Sequence, residues 1–146
     1  MTLDNLLGLS LEAVVADASA IQRLLEAARR SLADSRLAGI SPEGRFDMAY
    51  KAIMQSANAA LQASGYRTLT SKPGHHQTML QSLPKTVGLD RDTLILLDTL
   101  RKQRNVIDYS GDVVSASMAD EAQAQAERLL LRVEAWLAER HPDLLA

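Results

Sequence analysis

Apolar residues recur every three or four positions along most of this chain, the spacing that keeps one side of an α-helix apolar. Leu11, Val14, Ala18, Ile21, Leu25, Ala28 and Leu32 step in this way and predict a first helix from about Ser10 to Leu37, ended by Gly39. "SPEG" opens a second helix, with Ser41 as N-cap and Pro42 in the first turn. Phe46, Tyr50, Ile53, Ala57, Ala60 and Ser64 line one of its faces, and Gly65 stops it. Its other face, Ala52, Ser56, Ala59 and Ala63, is built of small residues that let a second helix approach closely, either within the core or across a dimer. "SGYRTLTSKPGHH" reads as a loop rich in Gly, Pro, Ser and Thr. A short helix follows from about His75 to Val87, bent at Pro84. Asp90 caps a fourth helix, Arg91 to about Tyr109. Ser117 with Asp120 resembles a capping box for the last, which carries Ala122, Ala126, Leu129, Val133 and Trp136 on one stripe and stops before Pro142.

These elements predict an all-α fold, an up-and-down bundle of four to five helices forming a single domain over residues 1–146. Composition agrees: aromatic residues are only 3% of the chain, so Leu, Ala, Val, Ile and Met must build the core. The net charge of -2 offers no overall attraction to nucleic acid or an anionic membrane, so any such surface has to be local. Cysteine is absent, which removes disulfides, thiolate metal sites and a Cys nucleophile. No uncharged stretch approaches the roughly 20 apolar residues of a membrane helix, and no basic leader precedes the first apolar run. A cytoplasmic protein without membrane association is therefore expected. A glycine-rich phosphate loop, HExxH and a Ser-His-Asp arrangement are all missing from the sequence, so no cofactor is expected.

The chemistry concentrates in "RKQRNVIDYSGD", residues 101–112. On a wheel of about 100° per residue, Leu94, Leu97, Leu100 and Ile107 form a stripe, and Arg104 falls inside it. A cation there either snorkels past the apolar surface or is held in a cleft by acceptors. Asp108 is its i,i+4 partner, and Arg101 with Asn105 lies alongside. One outcome is an ion pair clamping this helix to a neighbour, with Tyr109 packing at the helix end. The other is an Arg-lined cleft for phosphate, to which Arg67, Lys72, His75 and His76 contribute if the fold brings them near. His75 and His76 point about 100° apart on a helix and His141 is remote, so no metal site is expected.

The order of "RFDMAYKAIMQSANAALQASGYR", "KPGHHQTMLQSLP" and "LDTLRKQRNVIDYSG" resembles the HEPN domain (higher eukaryotes and prokaryotes nucleotide-binding), in its small stand-alone bacterial branch, over residues 10–138. The resemblance implies a helical bundle, commonly a homodimer whose Arg motifs share one cleft. Many members are RNases marked by Arg, four residues, then His. Here Arg104 matches the arginine and Asn105 the polar residue after it, but Tyr109 stands in the histidine's place. A phenol of pKa about 10 is a poor base at neutral pH. The resemblance thus implies a non-catalytic or weakly catalytic protein that binds a nucleotide, RNA or partner around Arg101, Arg104 and Asp108, with His75 and His76. Its setting would be a toxin–antitoxin-like module with a small nucleotidyltransferase. The alternatives are a metal-independent RNase using Arg104, Asn105 and Tyr109 with help from His75 or His76, and a purely structural dimer.

Overall fold

Helix α2 (Pro42–Ala63) is the element on which the others are laid in the computed structural model, which describes residues 2–71 and 73–146. Its start follows the expected chemistry: the Ser41 hydroxyl accepts a hydrogen bond from Gly44 N at 3.1 Å, with Pro42 in the first turn. Both predicted faces are buried. Phe46, Tyr50, Ile53, Ala57 and Ala60 are enclosed on one, and Ala52, Ser56, Ala59 and Ala63 on the other. A helix apolar nearly all round belongs at a centre. Helices α1 (Ala18–Ser35) and α6 (Ala116–Arg140) pack extensively along α2. The small-residue face is therefore a close-packing surface inside one chain and is not available to a dimer.

The fourth predicted helix, α5 (Arg91–Ser110), begins at Asp90, whose carboxylate accepts from Thr93 N at 3.0 Å. It ends where Gly111 turns left-handed at φ +70° and donates its N–H to the Ile107 carbonyl. Between α2 and α5 lie α3 (His75–Gln81) and α4 (Leu83–Thr86), with the break at Ser82 just before Pro84. Helix α3 touches both α2 and α5, while those two meet only sparsely. Four long helices and this short broken one make an all-α bundle, and no helix among the described residues is long and apolar enough to cross a membrane.

Three boundaries differ from the sequence reading. The first helix does not begin near Ser10: Leu11–Ala13 is a strand, β1, paired antiparallel with β2 (Tyr66–Thr68) in the register Leu11 to Thr68 and Ala13 to Tyr66. Helix α1 starts only after Asp17, which accepts from Ser19 N at 3.1 Å. Leu11 is fully buried all the same, so its apolar spacing was continuous with the helix while its backbone paired elsewhere. At the other end α1 stops at Ser35, and Gly39 lies in the connection to α2. Helix α6 starts two residues earlier than the Ser117–Asp120 box implied. Ser115 is its cap, accepting from Met118 N at 3.1 Å, directly after the buried Val114. Asp120 instead pairs with Arg45 at 3.0 Å.

Candidate functional site, a cleft between α3 and α5

The left-handed backbone of Gly74 (φ +79°) turns the chain into α3 and sets His75 and His76 opposite α5. Gly74, His75, His76, Gln77, Arg101 and Asn105 line an open cleft of about 180 Å³. Arg101 and Asn105 are one helical turn apart and so present one face of α5 to it. Arg101 is mostly buried and is oriented by Asp98, whose carboxylate accepts from its Nε at 2.8 Å; Lys102 approaches the same carboxylate at 3.4 Å. Burial opposes ionisation of Asp98. The hydrogen bonds and charges of Arg101 and Lys102 more than offset it, and the carboxyl is held below its ordinary range.

Arg104 lies behind this cleft, toward α2, as its place on the apolar stripe required. Its guanidinium stands over the Tyr50 ring, 4.8 Å from the centroid. Asp47 Oδ1 is 3.9 Å from its Nε and Asp108 Oδ2 is 4.0 Å away. Both distances give charge attraction but are too long for hydrogen bonds. The Nε is buried and has no hydrogen-bond partner among the described residues. The expected Arg104–Asp108 clamp is accordingly a loose pair that Asp108 shares with Asp47.

Tyr50 joins the two groups of residues. Its hydroxyl is 3.2 Å from His76 Nδ1, and the His75 ring meets His76 edge-on with centroids 4.6 Å apart. Burial pushes the His76 pKa below the ordinary 6.5, helped by the positive charges of His75, Arg104 and Arg101. Burial likewise raises Tyr50 against the pull of Arg104 and Arg101. It also raises Asp47, where Arg104 draws the value back and Asp108 adds to the rise. The result is a neutral imidazole between two permanent cations. Such a group accepts a proton or hydrogen-bonds an anion.

Of the sequence-predicted residues, Arg101, Asn105, His75 and His76 meet in the cleft, and Arg104 backs it. Asp108 pairs loosely with Arg104, at 4.0 Å. Tyr109 does not take the place expected of it: its side chain is 93% exposed on α5, about 140° around the helix from Arg104. Arg67 is drawn off to an ion pair with Glu12 across the strand pair, and Lys72 lies outside the described residues. Asp47 and Tyr50 were not singled out as site residues. Their signal was an acid beside a rare aromatic on the apolar face of α2. A groove of about 260 Å³ between the start of α5 and α6 also holds two arginines, Arg128 and Arg132. Arg132, however, is already bonded to the carbonyls of Val87 and Gly88, and no histidine enters. Among the described residues no three His, Asp or Glu side chains are grouped to hold a metal ion.

Fold and cleft together define an all-α helical bundle with an Arg- and His-lined cleft on one side. No family model, curated protein or solved structure matches the chain.

Proposed function

We propose that this protein is a HEPN-type helical protein that binds the phosphate of a nucleotide or RNA in the α3–α5 cleft, as the dimeric, non-catalytic or weakly catalytic component of a nucleotidyltransferase-associated module. One observation carries the reading: His75, His76, Arg101 and Asn105, distant in sequence, line one open cleft, with Arg104 behind them. Arginine offers planar paired donors that suit phosphate oxygens, and a half-buried setting strengthens each contact. The poor pairing of Arg104 weighs against a purely structural dimer, because a clamp would bring a carboxylate within hydrogen-bonding distance of it. The nucleotidyltransferase partner rests on the resemblance alone, and co-purification from co-expressed genes tests it.

The binding test uses a fluorescent RNA oligonucleotide at several salt concentrations. Wild type binds, and Arg101→Ala weakens binding and makes it less salt-dependent. Equal binding by the variant would overturn the reading. A second reading, a metal-independent RNase, gains support from His76, which brings to the cleft the imidazole that Tyr109 lacks. In that case RNA cleavage by wild type is lost in His76→Gln and Arg104→Ala and kept in Tyr109→Phe.

A further inference from the structure

In the cleft, His76 stands near two permanent cations, Arg101 and Arg104. His76 faces Tyr50 from α2, His75 from its own helix, and Arg101 and Arg104 from α5. The nearby carboxylates are engaged with those arginines: Asp98 bonds Arg101, while Asp47 and Asp108 lie by Arg104. Empty, the cleft therefore disfavours a third positive charge on His76. An anion seated between His75, His76 and Arg101 reverses that preference, since it is attracted by each cation.

We propose that the cleft takes up its phosphate ligand together with a proton, which lodges on His76. The contact with Tyr50 permits this. A phenol hydroxyl either donates to an unprotonated Nδ1 or accepts from a protonated one, so the 3.2 Å contact serves both states. Binding and protonation then help one another by the same factor, and affinity rises as the pH falls. The inference rests on the cleft being the phosphate site, and it adds the charge state in which that site works.

The test uses a 2′-O-methyl oligo-uridylate, whose phosphodiesters keep one charge from pH 8 to 5.5 and which cannot be cleaved through its 2′ position. At fixed ionic strength, wild-type affinity should rise about tenfold over that range, the equivalent of one unit of pKa change. His75→Gln should keep most of the rise, and His76→Gln should lose it, binding no more tightly at pH 5.5 than at pH 8. Each variant removes one imidazole from the cleft, so their difference separates His76 from the general gain of positive charge in acid. Measured by NMR on the wild type, the His76 imidazole should titrate at higher pH with the oligonucleotide bound than without it. Binding that is flat with pH, or a rise that survives in His76→Gln, overturns the proton linkage and leaves the phosphate site standing. No binding at any pH overturns both.

Discussion

Arg104 holds its position by three incomplete contacts rather than one good one, and each makes a different demand on a substitution. Arg104→Met keeps an unbranched stem over Tyr50 and loses the charge, so its cost in stability should be about 0.5–1 kcal/mol, the worth of a partly exposed cation–π contact. Arg104→Ala removes the stem as well and should cost more. Urea unfolding of the two variants checks the order; equal losses would mean the stem packs against nothing that matters. His76 supplies a pH dependence whose sign is fixed. Its pKa in the fold is lowered from 6.5, by burial first and then by the charges of His75, Arg104 and Arg101. The unfolded chain therefore takes up the proton first, and the stability that His76 contributes is complete above about pH 6.5 and shrinks as pH falls through that value toward the folded one. Asp47 acts in the opposite sense, since a carboxyl raised by burial gains stability as acid protonates it. Its contribution is common to wild type and His76→Gln, so the comparison cancels it. The drop in urea midpoint between pH 7.5 and 5.5 should be smaller in His76→Gln than in wild type. An identical drop would show that the folded protein does not hold this imidazole neutral.

Helix starts show how far local sequence reaches. Ser41 and Asp90 cap where their spacing placed them, because cap chemistry is complete within four residues. Near α6 the local rule favours Ser117, whose spacing to Asp120 resembles a capping box, yet Ser115 is the cap. The choice is tertiary: Val114 is buried, its N–H reaches Glu43 Oε1 at 3.3 Å, and the helix begins at the next serine. Ser115→Ala should therefore cost about 1 kcal/mol, and Ser117→Ala, already inside the first turn, only a few tenths. Thermal melts of both variants decide it, and a larger loss at Ser117 would return the helix start to the capping-box position. The strand pair was hidden for a related reason. Leu11 and Val14 continue the three-and-four stepping of α1, so periodicity gave no sign that Leu11–Ala13 would pair instead with a segment more than fifty residues away. The site shared this fate in part. Arg104 was visible as a charge on an apolar stripe, whereas Asp47, Tyr50 and the placing of His76 depend on α3 lying between α2 and α5, which no local pattern encodes.

Across the whole molecule, the fold class was legible because α2 is apolar on both faces and every other long helix has one apolar side to lay against a neighbour. The same arrangement separates positions that hold the monomer together from those free to meet another molecule. Ala59 is fully enclosed, so Ala59→Arg would bury a charge and overfill the core at a cost that is a large share of the roughly 5–15 kcal/mol of net stability of a domain. It should yield aggregate, not a folded monomer. At and just past the end of α5, by contrast, the large side chains Val106, Tyr109 and Val113 are 57%, 93% and 82% exposed. If the protein is the homodimer proposed above, these side chains are ones that a second copy can cover without disturbing the core. Tyr109→Asp combined with Val113→Asp should leave the melting temperature of the fold nearly unchanged, because neither side chain is buried in the monomer. By sedimentation the wild type should run as a dimer and the double variant as a monomer. A wild type that is monomeric at high concentration would sink the dimer, and a double variant that stays dimeric would move the interface to another face.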